Sequence, residues 1–224
     1  MRKIIEVVRD LKAMGYHKND AASGGKDYNK HEDAVEEILK SRGFALSEKT
    51  KVSQRNRDEI LEHAGKDIHN LMADGEYIPQ PCGTHNSPDF MVKEAGVIHM
   101  LECKSVKGKS KSPVYNSGVP KSGFIYIFSA EREGKTTLFL GDDVCGPETK
   151  KVICDTKEKI DRILALANKK MGATPDNRAG LTYYDRKMLN HTVNGQHYRE
   201  DYFNPEVMAE RYDNVEKDIL SKYL

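Results

Sequence analysis

The sequence predicts a mixed α/β domain in which helices cover one central sheet. Helical periodicity marks the first and last parts of the chain, and strand-like apolar runs occupy the middle. The 224 residues suffice for one substantial domain, and the hydrophobic residues, 38% of the chain, are clustered enough to build a core. We therefore expect a single domain over 1–224, with a mixed sheet of about five strands and helices on both faces.

The part before the sheet is predicted to be helical. Apolar residues recur at helical spacing over 1–15, and Gly15 ends that pattern. After a polar loop, a second helix is predicted from about Asn29 to Arg42. Glu32 falls on the margin of its buried stripe, where an acid belongs either to a site or to the solvated face. A longer third helix is predicted over 55–73.

The sheet is predicted in the middle of the chain. Pro88 can begin a strand but cannot sit centrally in one, so the first main strand starts at Asp89. Glu94, Ala95 and Gly96 form a hairpin turn into an apolar run that is typical of a strand buried on both faces. Beyond a short edge strand or loop over 44–53, the predicted strands are 89–93, Val97 through Lys104, 124–129 and 136–140.

Two more helices are predicted after the sheet. An amphipathic pattern spans 156–171, and its apolar residues are expected to face inward: Ile160, Ile163, Leu164 and Ala167. The last helix begins at Pro205, a residue that is common at the first helical position. Between them, the polar region 173–203 is too long for a simple connector and is interpreted as a recognition segment.

Composition excludes several classes of protein. The net charge of +1 provides no global basic field, so any nucleic-acid site must be a local patch. No apolar run approaches the length of a membrane span, and the first residues lead into an amphipathic helix rather than a secretory signal. The four cysteines contain no C-x-x-C pair, which disfavours zinc and a disulfide framework. We expect a cytoplasmic protein without a membrane partner.

Two acids and a lysine are predicted to share one sheet face. Glu102 and Lys104 are two residues apart on a strand and therefore point the same way, and the hairpin brings Asp89 beside them. Mg²⁺ prefers carboxylates and retained water, so Asp89 and Glu102 are candidate ligands, with the carbonyl of Cys103 as a third. Lys104 is suited to hold the attacking water and to face the phosphate. A plain salt bridge is the alternative, although burying charge at the end of an apolar strand is costly unless it is paired or metal-bound.

These residues resemble a known superfamily. Pro88-Asp89, twelve intervening residues and then Glu102-Cys103-Lys104 resemble the PD-(D/E)xK nucleases, and the stretches Tyr115–Lys121 and Ile125–Phe128 resemble type II restriction endonucleases within it. The resemblance implies a restriction-endonuclease-like fold, Mg²⁺-dependent cleavage of double-stranded DNA and often a homodimer acting on a palindrome. It maps Asp89 and Glu102 to metal ligands and Lys104 to the catalytic lysine, within a catalytic core of about 28–140. Such families often add an acid from the preceding helix, here Glu32 or Glu36.

A run without acidic residues follows the predicted catalytic strand. From Lys104 to Lys121, both included, there are five lysines and no acid, which suits phosphate binding, although a solvated loop is the alternative. In the segment 173–203, arginine, asparagine and glutamine are residue types that read base edges. The candidate DNA contacts are Lys107, Lys109, Lys111, Tyr115, Asn116, Ser117, Lys121, His85, Asn86, Arg186 and Asn190.

Three functions are compatible with these patterns. The first is a sequence-specific DNA endonuclease of the type II restriction class, which the large amount of sequence outside the catalytic core favours. The second is a structure-selective or repair nuclease on the same fold, resembling a junction resolvase. The third is a non-catalytic DNA-binding protein in which the acids and the lysine form a structural ion pair. Metal dependence separates the third from the other two.

Overall fold

The computed structural model describes residues 2–16, 30–48, 52, 60, 70–83, 86–115, 119–174, 180, 192–193, 196–197 and 201–224. The helices within these ranges are α1 (Lys3–Ala13), α2 (Lys30–Ser41), α3 (Gly141–Val144), α4 (Pro147–Gly172) and α5 (Pro205–Ser221). The strands are β1 (Ala45–Leu46), β2 (Glu76–Pro79), β3 (Phe90–Glu94), β4 (Val97–Val106), β5 (Phe124–Ala130), β6 (Lys135–Leu140), β7 (Thr192–Val193) and β8 (Gln196–His197).

Six strands form one mixed sheet in the order β1-β2-β3-β4-β5-β6, and β7 and β8 pair separately. β1 and β2 are parallel, as are β4 and β5, and the remaining neighbours in the large sheet are antiparallel. The predicted mixed sheet flanked by helices is therefore confirmed. β2 is not among the predicted strands, and two prolines and a glycine at or just after it obscure the strand pattern in the sequence.

Because β4 and β5 are parallel, the polar stretch between them must be a crossover connection and not a simple loop. Parallel neighbours cannot be joined by a tight turn, so 107–123 is a crossover connection that returns the chain to the opposite end of the sheet. Tyr115, in the middle of this crossover, is 1% exposed and belongs to a hydrophobic core. A stretch that looks like a free polar loop is thus fixed at its centre.

Each face of the sheet has its own core. Alternation along β3 sends Phe90 and Val92 into a first core, with residues of α1, α2 and α5, and sends Met91 into a second. The second core contains Tyr126, Phe128 and Phe139 of the sheet, together with residues of the crossover and the chain before α5. Ile60, which is helical and fully buried, joins this second core from the predicted third helix. Most of that predicted helix lies outside the described residues, and 71–73 are not helical.

The helix α4 differs from its prediction in both length and packing. It begins at Pro147 rather than near 156 and runs for 26 residues, and none of its residues is buried. The expectation that Ile160, Ile163, Leu164 and Ala167 face inward is wrong in this structure, where Ile163 is 65% exposed. A periodic stripe specifies which side of a helix is apolar, but it does not supply an element to cover that side.

The C-terminal helix α5 follows its predicted start. The Asn204 side chain accepts hydrogen bonds from the backbone N–H groups of Glu206 and Val207, and Pro205 occupies the first turn. Val215 and Ile219 are fully buried in the first core. Across the described ranges, no helix combines the length and apolar character needed to cross a membrane.

Candidate active site

The β3–β4 hairpin places Asp89 opposite Glu102. The turn residues Ala95 and Gly96 have φ values of 48° and 80°, the positive values that a tight two-residue hairpin requires. The resulting register pairs Phe90 with Leu101, so Asp89, one residue earlier, stands across from Glu102. Oδ2 of Asp89 accepts a hydrogen bond of 2.6 Å from the backbone N–H of Cys103. The hairpin that was predicted to bring the acids together therefore does so.

Glu102 and Lys104 lie side by side on the face of the second core. Nζ of Lys104 donates to Oε1 of Glu102 at 2.6 Å, and both side chains are largely buried. Glu102 is 2% exposed, yet its other oxygen, Oε2, is buried without a hydrogen-bond partner among the described residues. An unsatisfied buried carboxylate oxygen costs free energy, so the arrangement is suited to a further positive ligand.

Glu32 of α2 is the helix acid that lies near these groups. Its Oε2 accepts a hydrogen bond of 3.2 Å from Nε2 of Gln80. Its carboxylate interacts electrostatically with Asp89, Glu102 and Lys104. Glu36 is engaged elsewhere, because it accepts a 2.7 Å hydrogen bond from the Tyr77 hydroxyl and pairs with Lys40 at 3.2 Å. The structure thus brings Glu32, and not Glu36, to Asp89 and Glu102.

Gln80 is a member of this cluster that the sequence patterns do not reveal. Its backbone N–H donates to the carbonyl of Asp89 at 2.6 Å while its side chain contacts Glu32. Its φ of 45° lies in the left-handed region, which is uncommon for a residue other than glycine. The available signal is its position between Pro79 and Pro81, since prolines on both sides restrict the path of the chain.

The charges in the cluster are not balanced. Burial, followed by the charges of Glu102 and Glu32, raises the pKa of Asp89 to about 8. Burial, with the charge of Glu102, also raises the pKa of Glu32. For Lys104, burial opposes the charged form, but the attraction of Glu102 and Asp89 outweighs it and the pKa is raised. When all three acids are ionised, their charge exceeds that of the Lys104 ammonium by two, which is the charge that one divalent cation neutralises.

The donor set fits Mg²⁺ in its chemistry. Asp89 and Glu102 offer carboxylates, and the carbonyl of Cys103 points to the same strand edge as its N–H, which faces Asp89. The Cys103 thiol packs against the first core instead, and burial raises the pKa of that thiol well above its ordinary value, so sulfur is not the donor. In the described ranges no group of three or more His, Cys, Asp or Glu side chains is already gathered closely enough to hold a metal ion. The ammonium of Lys104 donates a hydrogen bond to one oxygen of Glu102, at the position that a metal ion would otherwise contact.

The lysines of the crossover differ in their surroundings. Lys107 and Lys109 are exposed. Lys111 is exposed as well but pairs with Glu133 at 2.9 Å. Lys121 is half-buried, and its backbone N–H donates to the Tyr126 hydroxyl at 2.9 Å. The crossover therefore presents ammonium groups at the surface close to where β4 ends.

The other predicted DNA contacts are placed less favourably or fall outside the described residues. The prediction that Tyr115 contacts DNA is not supported, because its ring is buried and its hydroxyl lies 2.9 Å from that of Tyr202. Asn86 is half-buried, with its side-chain amide donating to the carbonyl of Cys82 at 2.9 Å. The predicted contacts that lie outside the described residues are His85, Asn116, Ser117, Arg186 and Asn190.

Comparisons of the chain with protein-family models, with curated proteins and with solved structures returned no match in any of the three. What the site can do is therefore argued from its own residues.

Proposed function

We propose that this protein is a Mg²⁺-dependent endonuclease that hydrolyses phosphodiester bonds in double-stranded DNA, on a restriction-endonuclease-like fold. One observation carries the proposal. Asp89, Glu102 and Lys104 meet in a buried cluster, with Glu32 beside them, and Oε2 of Glu102 is left without a partner among the described residues. Carboxyl groups crowded together in this way favour a bound divalent cation, with which they can ionise, over a purely structural role.

Each residue has a distinct chemical task in this proposal. Asp89 and Glu102, with the Cys103 carbonyl, would hold Mg²⁺, which when bound neutralises the phosphate and promotes the ionisation of water. The backbone N–H of Cys103 orients Asp89 through its 2.6 Å hydrogen bond. Lys104 orients the attacking water and places a positive charge next to the scissile phosphate. Glu32 adds a third carboxylate, oriented by Gln80.

The choice of double-stranded DNA as substrate rests on the crossover. Lys107 and Lys109 are exposed on the connection that leaves the strand bearing Glu102 and Lys104. Phosphates of a duplex are bound by such side chains without regard to sequence. Sequence choice is assigned to the polar segment 173–203, which makes the protein a type II restriction endonuclease in this proposal. A homodimer acting on a palindrome follows from the resemblance to type II restriction endonucleases, and a cytoplasmic location is proposed from the composition of the sequence.

A non-catalytic DNA-binding protein is the second candidate. The 2.6 Å ion pair between Lys104 and Glu102 favours it, because such a pair stabilises a charged residue inside a sheet without any metal. The pair accounts for only one of the three acids, however. Asp89 and Glu32 are held next to it with raised pKa values, which a structural pair does not require.

Digestion of a mapped plasmid with and without Mg²⁺ tests the proposal. Discrete Mg²⁺-dependent bands with identical ends on sequencing support a restriction endonuclease. Smearing or cleavage confined to branched DNA selects a structure-selective nuclease. Binding without cleavage selects the non-catalytic protein, and the Asp89→Asn variant shows whether any cleavage comes from this site.

A further inference from the structure

The backbone of Lys121 is held in place from two sides. Its N–H donates to the hydroxyl of Tyr126 at 2.9 Å. On the other side it lies against Gly141, the first residue of α3, where a Cβ atom would come within 2.8 Å of the carbonyl carbon of Lys121 and 3.1 Å of its nitrogen, and closer still to its carbonyl oxygen. No L-amino acid with a side chain fits at Gly141 unless Lys121 moves. The glycine is required by this close approach of two backbones.

The residues after Lys121 are tied to the same place. The Ser122 hydroxyl donates to Oδ1 of Asp142 at 2.9 Å, and the N–H of Gly123 donates to Oδ2 at 3.0 Å. Lys150 of α4 donates to both Asp142 and Ser122 at 2.6 Å. The end of the crossover is therefore anchored on α3 through several independent contacts.

Tyr126 connects this anchor to the acidic cluster. Tyr126 of β5 is paired with Glu102 of β4, and aligned residues on adjacent strands direct their side chains to the same face. Burial, with the negative charges of Glu102 and Asp89, raises the pKa of Tyr126. The ring is stacked on Phe139 with centroids 5.3 Å apart and meets Tyr115 edge-on at 5.9 Å. Because the ring is packed on two sides, its hydroxyl holds the Lys121 backbone at a constant position relative to the sheet.

We infer that Tyr126 and Gly141 are positioning residues that hold the backbone of Lys121 at a set place relative to Asp89 and Glu102, so that Lys121 binds a phosphate of the DNA next to the one that is cut. The inference rests on the proposed function and deepens it. A mobile lysine would bind phosphate with little control of register, whereas a lysine on an anchored backbone fixes which phosphate enters the acidic cluster. Neither Tyr126 nor Gly141 needs to touch DNA for this.

The Tyr126→Phe variant tests the inference because it removes only the hydroxyl that binds Lys121. Tyr115→Phe is the matched control: it makes the same chemical change in the same core, at a hydroxyl that lies 2.9 Å from that of Tyr202. We expect amide exchange at Lys121 to accelerate about tenfold in Tyr126→Phe and to stay unchanged in Tyr115→Phe.

Binding of a fluorescent duplex, measured against salt concentration with Ca²⁺ in place of Mg²⁺, supplies the functional readout. Lys121→Met should weaken binding about tenfold and lower the slope of log K against log salt by about one. Tyr126→Phe should lower that slope in the same direction, and should have no further effect in the Lys121→Met background. Gly141→Ala should resemble Tyr126→Phe in binding.

The outcomes separate this inference from the function it depends on. If the wild-type protein binds and cleaves duplex DNA while Tyr126→Phe matches Tyr115→Phe in slope and affinity, the positioning role is refuted and the endonuclease proposal stands. Additive effects of Tyr126→Phe and Lys121→Met refute it as well. If the wild-type protein neither binds nor cleaves duplex DNA, both proposals fail together.

Discussion

The ammonium of Lys104 lies 2.6 Å from Oε1 of Glu102, and the second oxygen of that carboxylate has no hydrogen-bond partner in the part of the chain that the structure describes. One oxygen of a buried acid is thus neutralised and the other is not. A divalent cation that binds Glu102 must share this carboxylate with Lys104 or displace it. In the proposed nuclease, Lys104 therefore competes with the cation for Glu102, and its ammonium becomes available to water and phosphate when the cation binds.

This competition predicts opposite effects of Lys104→Met on cleavage and on metal binding. Cleavage should fall by at least about a hundredfold, because no ammonium remains to orient water or to neutralise the phosphate. Divalent cations should bind about tenfold more tightly, because nothing else neutralises Glu102. Calorimetric titration with Ca²⁺ or Mn²⁺ measures the affinity. Lys222→Met, which removes a lysine paired with Asp218 at 2.6 Å, is the control and should change neither quantity strongly.

Thermal unfolding gives a second view of the same variant. Without metal, Lys104→Met leaves Glu102 buried and unpaired, which should lower the free energy of unfolding by about 3 kcal/mol. Saturating Mg²⁺ should restore most of this loss, so the metal should raise the melting temperature more in the variant than in the wild type. An equal metal-induced shift in the two proteins would show that Glu102 does not take the cation.

The raised pKa of Asp89, about 8, predicts how metal-free stability depends on pH. In the unfolded chain the carboxyl ionises near its ordinary pKa, so between about pH 4 and 8 the unfolded state releases a proton that the folded state retains. The contribution of Asp89 to stability is therefore fully present below pH 4 and is lost as the pH rises to 8. Asp89→Asn should remove this decline, which we expect to be on the order of 1 to 3 kcal/mol in denaturant titrations at several pH values.

Over the same pH range, Mg²⁺ binding should strengthen as the pH rises, whereas metal-free stability should fall. Because the cation binds the ionised carboxylate, its affinity should rise with pH up to about 8 in the wild type. Asp89→Asn should bind more weakly and without that dependence. A wild-type metal affinity that is flat from pH 6 to 9 would contradict the assignment of Asp89 as a ligand.

Alternation along a strand was enough to predict that Glu102 and Lys104 share a face, and the turn residues were enough to bring Asp89 across from them. These relationships are local, since they follow from the twofold repeat of a strand and one tight turn. The burial of Tyr115 is not predictable from the sequence, because it depends on the parallel pairing of β4 with β5, which makes a polar stretch a crossover. The contact of Gln80 with Glu32 and the close approach of Gly141 to Lys121 join residues far apart in sequence, and no periodicity of the sequence predicts such contacts.

The hydrogen bond between His99 of β4 and Tyr223 predicts acid sensitivity. His99 is fully buried, its Nε2 lies 2.9 Å from the Tyr223 hydroxyl, and burial lowers its pKa to about 3. A histidine that is neutral when folded but has an ordinary pKa when unfolded stabilises the protein above about pH 6.5, and that contribution is lost as the pH falls towards 3. His99→Leu should abolish this part of the acid-induced loss of stability.

Tyr223→Phe should remove the same hydrogen bond without adding or removing a charge. The hydroxyl also lies 3.3 Å from Oε2 of Glu94, whose oxygens accept the first backbone N–H groups of α1. We expect a loss of about 1 to 2 kcal/mol in the free energy of unfolding. Tyr212→Phe, which removes a hydroxyl that donates to Glu216 at 2.8 Å and also contacts Arg9, is the matched control for losing a tyrosine hydroxyl on the same side of the sheet. Equal losses in both variants would mean that the contact with His99 contributes no more to the free energy of unfolding than an ordinary tyrosine hydrogen bond.

Glu32 and Glu36 provide a paired test of the helix acid. Both lie on α2, four residues apart, but only Glu32 is close enough to raise the pKa of Asp89 through its charge. Glu32→Gln should lower Mg²⁺-dependent cleavage about tenfold or more, because it removes one of the three acids and loosens Gln80, which also holds the Asp89 backbone. The same substitution should shift the pH dependence of metal binding to lower pH, since a negative charge next to Asp89 is gone. Glu36→Gln makes the same change from carboxylate to amide, but Glu36 contacts Tyr77 and Lys40 instead of Gln80. The cleavage rate and pH profile of this variant should therefore match those of the wild type. If instead Glu36→Gln is the variant that loses activity, the acid that completes the site has been misassigned, and the stability of both variants by thermal unfolding will show whether the loss is local to the site.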